Sequence, residues 1–367
     1  AKRINPHALV VAVGCSVQLN SEKINKETAA DIIIGTKHKA NIGRIIRDKL
    51  DNIEPAYEIE GFKGKENFEE LTISTVHDKT RANIKIQDGC SQFCSYCIIP
   101  YVRGPIRSRN YEDIIKEVNR IAHNGYKEIV LNGIHISSYG KDLKANYHLI
   151  DLIEDIDKIK GIERIRLGSL EPNLINEDFI QRYAALDKTC DHFHLSLQSG
   201  SDSVLKRMKR RYTSEEYKKK VDLIRKAIPD AGITTDIIVG FPGETDKEFT
   251  ETVDLVKEIK FSRIHVFKYS VREGTKAAEI EPKVTDSVKA ERSKFLIDLG
   301  EKTAKEFMKK FLGRDLSVLI ETEKAGELYE GYTTNYLKVL LKSDINVKNE
   351  IINVHIKGMR NDYLLGE

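Results

Sequence analysis

Three cysteines fall within eight positions, Cys90-Ser91-Gln92-Phe93-Cys94-Ser95-Tyr96-Cys97. The C-x3-C-x2-C spacing sets three thiols on one tight loop, where as thiolates they can grip one face of a metal centre. A structural zinc ion takes four ligands, usually in a paired arrangement, and the next histidine in the chain is His123. Three thiolates suit a 4Fe–4S cluster with one iron left open. A zinc knuckle or three buried thiols is the blander alternative. The other two cysteines, Cys15 and Cys190, stand alone. Five cysteines in 367 residues are too few and too clustered for a disulfide framework.

A loop of this kind needs a frame to hold it. Strands are expected at 84–87, 128–131, 164–167, 192–197, 233–239 and 263–269. Helices are expected near 111–123, 148–159, 175–184, 202–208, 214–227 and 246–259. Six β/α units imply a parallel sheet with right-handed crossovers. The strands read as apolar enough to be covered on both faces. The array forms a partial barrel or a doubly wound sheet, and either places chemistry at the loops beyond the strands' carboxyl ends. The cysteine loop follows the first strand and is such a loop. Upstream, strands at 9–13 and 32–35 and a helix at 41–50 make a small α/β domain over 1–60, and 61–80 reads as a polar linker. A long amphipathic helix at 286–312 closes the core, 81–312. Beyond it the apolar period changes to two, at 316–320, 336–341 and 351–356, as in a small β-barrel over 313–367.

Composition excludes several classes. Hydrophobic content of 40% and charged content of 32% suit a globular chain and not a disordered one. No apolar run approaches the roughly 20 residues a membrane helix needs. No signal peptide is visible. Sixty Lys and Arg against 57 Asp and Glu leave a net charge of +3, which makes no case for nucleic acid. Distribution does better. Arg103, Arg107 and Arg109 follow the cysteine loop, and a basic run at 206–211 follows the fourth strand. Both are expected to face the loop end of the barrel, where an RNA loop would enter. Tyr329, Tyr332 and Tyr336 of the last segment read as base-stacking surfaces or as core and hairpin residues.

The sequence resembles the radical S-adenosylmethionine enzymes in its three-cysteine loop, in Tyr96 before the last cysteine, and in six β/α units. In that superfamily the open iron chelates S-adenosylmethionine, and an electron from the cluster cleaves it to a 5′-deoxyadenosyl radical. Cluster and cofactor carry the hard chemistry, and the protein positions and shields them. A wider series resembles the methylthiotransferase branch over essentially the whole chain. It comprises Asp88-Gly89-Cys90, Arg103-Gly104-Pro105-Ile106-Arg107-Ser108-Arg109, Asn132-Gly133-Ile134-His135, Tyr139-Gly140, Leu170-Glu171-Pro172, Leu197-Gln198-Ser199-Gly200-Ser201 and Gly240-Phe241-Pro242-Gly243-Glu244-Thr245. Cys97-Ile98-Ile99-Pro100 and Gly133-Ile134-His135 are most similar to the tRNA threonylcarbamoyladenosine 2-methylthiotransferases. The last segment resembles a TRAM domain, an OB-like barrel that binds tRNA.

The resemblance implies an α/β fold: a truncated N-terminal domain, a partial (β/α)6 radical-SAM barrel and a C-terminal TRAM barrel. It implies that a methylthio group is placed on C2 of N6-threonylcarbamoyladenosine beside the anticodon. Partners would be the tRNA anticodon loop and an electron donor such as flavodoxin or ferredoxin, for a cytoplasmic monomer without membrane contact. Cys90, Cys94 and Cys97 would hold the 4Fe–4S cluster, with Tyr96 among the cofactor contacts. The Gly133 backbone would meet the methionine ammonium and Glu171 would accept from it. Gln198 and Asp236 would bind the ribose, and Arg210 would clamp the carboxylate. The blander readings are a helix cap for Gln198, a solvated charge run for Arg210 and a simple turn at Gly240. Asp236, inside an apolar strand, needs a partner in any case.

Family members carry a second, auxiliary 4Fe–4S cluster held by three cysteines of the N-terminal domain. Cys15, in Val13-Gly14-Cys15-Ser16-Val17-Gln18, matches the third of them, and the first two are expected upstream. The expectation is an amino-terminally truncated chain that cleaves S-adenosylmethionine but methylthiolates poorly. Cys190 reads as structural. One rival is an enzyme of the same branch acting on isopentenyl-adenosine tRNA or on a ribosomal-protein aspartate. Another is a non-enzymatic zinc and RNA-binding module.

Overall fold

In the computed structural model, residues 1–28, 30–51, 56–64, 66–70, 80–324 and 327–367 are described. The amino-terminal part is a three-stranded parallel sheet, β1 (Val11–Val13), β2 (Ile32–Ile34) and β3 (Ala56–Glu58), in that order. β1 and β2 are joined by a helix, Cys15–Glu27, that the sequence reading missed. Its weak apolar face explains the miss, since Val17 is its only buried residue. Of the linker, residues 65 and 71–79 lie outside the described residues. The described part is no loose excursion. The Phe62 ring fills the space above Gly104, where a Cβ would lie 2.4 Å from it, and Glu70 pairs with Arg109.

The core strands are β4 (Arg81–Asp88), β5 (Arg107–Ser108), β6 (Glu128–Gly133), β7 (Arg164–Leu167), β8 (His192–His194), β9 (Gly232–Val239) and β10 (Arg263–Lys268). β4, β6 and β7 pair in parallel, as do β8, β9 and β10. The bridges Ile165–Thr189 and Leu170–Leu195 join the two sets, and β5 runs antiparallel along the β4 edge. Six parallel strands in the order β4-β6-β7-β8-β9-β10 form the partial barrel. The helices between them start at side-chain caps. Asn110 accepts from Glu112 N, and Thr213 with Glu216 and Thr245 with Glu248 form capping boxes.

The strands are not apolar on both faces. Ala82, Ile84 and Ile86 of β4, Ile129 and Leu131 of β6, and Ile233 and Ile237 of β9 point outward into the main core under the helices. Their alternates Arg81, Asn83, Lys85, Gln87, Glu128, Asn132, Thr234 and Asp236 turn inward. A partial barrel leaves that face open, so its lining can be polar, unlike the packed interior of a closed eight-stranded barrel.

The helix Asp286–Lys309 leads to a closed barrel of β11 (Asp315–Glu323), β12 (Leu328–Thr333), β13 (Lys338–Lys342), β14 (Ile351–Arg360) and β15 (Tyr363–Gly366), in the order β11-β12-β13-β15-β14. β12 and β15 were not anticipated. This barrel docks under the amino ends of the core strands. Arg164 donates to Tyr332 O and Ser317 Oγ, both at 2.9 Å, and Arg166 donates to Thr334 O at 3.0 Å. A Cβ on Gly232 would come within 2.3 Å of Asn335 O, so the two parts meet at van der Waals distance. Among the described residues no helix is long and apolar enough to cross a membrane.

Candidate active site

The chain leaves β4 through Asp88 and turns at Gly89, whose φ is +71°. A Cβ there would lie 1.8 Å from Pro105 O, so both the turn and the close approach require glycine. The cysteine loop that follows is pinned from three sides. Cys90 N donates to Gly104 O at 3.0 Å and Ser95 N to Met208 O at 3.0 Å, while Ala277 N donates to Ser95 O at 2.8 Å. All three thiols are free and half-buried. Burial pushes the Cys90 thiol up to about 11, with Cys94 and Cys97 adding in the same direction, and burial raises Cys97 as well. Among the described residues no three His, Cys, Asp or Glu side chains converge as they must on a single metal ion. A 4Fe–4S cluster does not ask them to converge, because each thiolate binds a different iron. Three neighbouring thiols on a fixed loop, with a guanidinium beside one of them, therefore fit that group.

That guanidinium belongs to Arg210. It donates to Glu171 Oε2 at 2.7 Å, to Cys94 Sγ at 3.4 Å and to Tyr212 Oη at 2.9 Å. The side chains of Arg210 and Glu171 are only 6% and 9% exposed, which excludes a solvated charge run for Arg210. Burial alone would raise the Glu171 carboxyl, but His135 and Arg210 more than offset it and hold the group below the ordinary carboxylate value. Arg210 and Glu171 thus form a buried pair of opposite charges beside the thiols, complementary to the two charges of an amino-acid zwitterion.

The remaining expected contacts ring this pair. Gly133 ends β6 at the surface, and a Cβ there would lie 2.9 Å from Gln87 O. Tyr96 packs against Val204, Met208, Phe241, Tyr269 and Ala277. Gln198 is not a helix cap. It sits at φ +71° and continues the strand pairing, donating to Asp236 O at 2.8 Å and accepting from Ile238 N at 2.9 Å. Asp236 has the partner its position demands, with Oδ2 3.2 Å from His194 Nε2. In the Gly240 turn, Glu244 accepts from Gly240 N and from Arg292 at 2.7 Å each, so its carboxylate ties the turn to the long helix.

The expected RNA contacts are largely displaced. Arg107 and Arg109 are buried. Arg107 donates to Arg103 O and Pro105 O, and Arg109 pairs with Glu70 and Glu117. Arg103 donates to Cys15 Sγ at 3.1 Å and lies 3.4 Å from Asp88. These arginines build the loop instead of facing RNA, though the Arg103 contact does bring Cys15 to the cysteine-loop end. Within the basic run Lys206, Lys209 and Arg211 are exposed, whereas Arg207 is spent on Glu248. Tyr329 lies in the core of the small barrel. Tyr332 and Tyr336 stack on each other at 5.0 Å under Arg81, at the joint with the core. Exposed aromatic surface lies elsewhere, at the loop end, in Phe93 and Tyr101, which meet edge to face at 5.8 Å, and in Phe267. Phe93 was visible inside the cysteine motif, but only its neighbours were read for chemistry. Gln87 was also missed. Its amide holds the Asp88 and Gly89 carbonyls and its oxygen accepts from His135 N. The signal for it was a polar residue at the inward position of an alternating strand. Cys190 is fully buried and its thiol is pushed up to about 12 by that burial, as a structural residue's would be.

The family model described as the radical SAM superfamily matches residues 84–256. The threonylcarbamoyladenosine tRNA methylthiotransferase MtaB of Bacillus subtilis (strain 168) is 39% identical over 362 residues, covering 97% of this chain and 80% of that protein. Its namesake in Aquifex aeolicus (strain VF5) is 39% identical over 326 residues, covering 88% and 78%. The tRNA-2-methylthio-N(6)-dimethylallyladenosine synthase of Pelotomaculum thermopropionicum is 38% identical over 371 residues, covering 100% and 82%.

Proposed function

Since the chain belongs to the radical S-adenosylmethionine tRNA methylthiotransferases, we propose that it places a methylthio group on C2 of N6-threonylcarbamoyladenosine beside the anticodon of tRNA. The observation that carries this reading is the match to MtaB along nearly the full chain, with the cysteine loop and the Arg210–Glu171 pair at one end of the barrel. Cys90, Cys94 and Cys97 would hold a 4Fe–4S cluster by its three closed corners. When bound, that cluster and S-adenosylmethionine supply the radical that activates the target carbon.

The chain's own residues position and shield. Glu171 accepts from the ammonium of the bound methionine moiety and Arg210 meets its carboxylate, so the charges now paired with each other are shared with the ligand. Gly133 offers backbone at close approach, Gln198 and Asp236 hold the ribose, and Tyr96 lies against the cofactor. Cys15 is proposed as one ligand of an auxiliary cluster; it is the only cysteine before Cys90 in these 367 residues. A flavodoxin or ferredoxin is proposed as electron donor to a cytoplasmic monomer. The limits 1–60, 61–80, 81–312 and 313–367 are proposed for the amino-terminal domain, linker, radical-SAM core and TRAM domain. Support for a second reading, methylthiolation of dimethylallyl-adenosine, comes from the 38% identity to the Pelotomaculum synthase.

The test is nucleoside mass spectrometry of tRNA from cells with and without the gene. Loss of methylthiolated threonylcarbamoyladenosine is expected. Loss of only the dimethylallyl product would overturn the substrate.

A further inference from the structure

The inner face of the sheet carries a polar centre that the cofactor contacts do not use. A cavity of about 480 Å³ lies inside the partial barrel above the small C-terminal barrel. Its walls include His192, His194, Thr234, Arg263 and His265. In register His265 pairs with Asp236 and Arg263 with Thr234. Two residues along a strand span about 7 Å, so Arg263 stands one layer below the proposed ribose contact.

Most charges in this wall are spent. Arg166 is held by Glu128 and by barrel carbonyls, and Arg81 by Glu321. Arg263, exposed at the start of β10, makes no hydrogen bond or ion pair among the described residues. The acid it senses, Asp362, is held by Lys338 at 2.8 Å.

His192 gives an independent sign. It is 5% exposed, yet its Nδ1 has no partner. Its Nε2 lies 3.0 Å from Thr234 Oγ1, which lies 3.0 Å from His194 Nδ1, whose Nε2 lies 3.2 Å from Asp236. An ionised carboxylate only accepts, so His194 donates through Nε2. A neutral His194 then accepts at Nδ1 from the Thr234 hydroxyl. Having given its one proton, Thr234 accepts from His192 Nε2–H. His192 Nδ1 is left as a bare, buried acceptor. The wall therefore offers an exposed guanidinium without a partner among the described residues and a buried unpaired acceptor, which suit a ligand carrying a carboxylate near a hydroxyl.

We propose that this cavity receives the threonylcarbamoyl group of the target adenosine, with Arg263 pairing its carboxylate and His192 Nδ1 accepting from its hydroxyl. The proposal rests on the substrate reading above and deepens it. The cavity lies on the inner face of the sheet, one layer below Asp236. A dimethylallyl group has neither carboxylate nor hydroxyl, and would leave the exposed Arg263 to water and His192 Nδ1 without a partner.

The test measures the affinity of the full protein, with clusters reconstituted, for three anticodon stem-loops. They differ only at the target base, which carries threonylcarbamoyl with a free carboxylate, the same group as its carboxamide, or no modification. The expected preference for carboxylate over carboxamide is about tenfold or more. Arg263→Gln should bring that ratio close to one, and Arg263→Lys should keep part of it. A ratio untouched in both variants overturns the assignment of the cavity while leaving the substrate reading intact. A wild-type protein that binds the threonylcarbamoyl and unmodified loops equally overturns the substrate reading and this proposal with it.

Discussion

The two ends of one parallel sheet both bury charge, to opposite effect. At the amino end Glu128 is fully buried between Arg164 and Arg166, with Arg81 at 4.0 Å, and the spare donors of Arg164 and Arg166 reach backbone carbonyls of the small barrel. At the carboxyl end Glu171 and Arg210 pair beside a thiol, while His135 Nε2 stands 3.8 Å from Glu171 without a hydrogen bond. A saturated cluster of charges makes a joint. An unsaturated one keeps valences for a ligand.

The unsaturated end should respond most strongly to substitution. Cys94→Ala should remove the absorbance of this loop's cluster after anaerobic reconstitution, because two thiolates no longer close three corners; iron and sulfide contents equal to the parent's would break the assignment of the loop. Next comes the saturated end. Glu128→Ala leaves buried guanidinium groups without their counter-charge, and should cost about 3–5 kcal/mol in denaturant unfolding. Glu171→Gln should instead raise the dissociation constant for S-adenosylmethionine about tenfold or more by calorimetry, with a smaller loss of stability than Glu128→Ala. Equal stability losses in the two variants would erase the contrast between joint and site. A further comparison sets Phe93 against Tyr329. Phe93→Ala should weaken anticodon stem-loop binding by about 1–3 kcal/mol if a base stacks there, and Tyr329→Phe should not.

The smallest effect is a pH dependence of opposite sign at the two ends. The Glu171 carboxyl is held below its ordinary value, so its contribution is present above the unfolded pKa and is lost as pH falls through the lower folded pKa. Burial raises Glu321 at the amino end, which Arg81 only partly offsets, so protonating that group on mild acidification favours the folded state. Unfolding curves of Glu171→Gln and Glu321→Gln against pH should therefore diverge from the parent in opposite directions.

The cysteine loop and the six β/α units were legible because each is written in a short stretch of chain. The alternation Arg81, Asn83, Lys85, Gln87 was equally visible. It was read as a strand covered on both faces because only its apolar members were counted. β12 escaped notice because Gly331 interrupts its pattern, and that glycine is needed where a Cβ would meet Leu319 O at 2.4 Å. The roles of the arginines were illegible for another reason. Arg109 finds Glu70, and Arg164 finds Tyr332, across separations of 39 and 168 residues that only the fold closes. A basic residue near a site reads as a ligand contact until the carboxylate or carbonyl that spends it is in view.

The carboxyl end of this sheet is the proposed radical S-adenosylmethionine site. Its most direct test is the anaerobically reconstituted protein with S-adenosylmethionine and a strong reductant, read for 5′-deoxyadenosine by liquid chromatography. Formation of 5′-deoxyadenosine by the parent protein, and none by Cys94→Ala, is the expected result. No 5′-deoxyadenosine from a parent protein that shows the 4Fe–4S spectrum would contradict it.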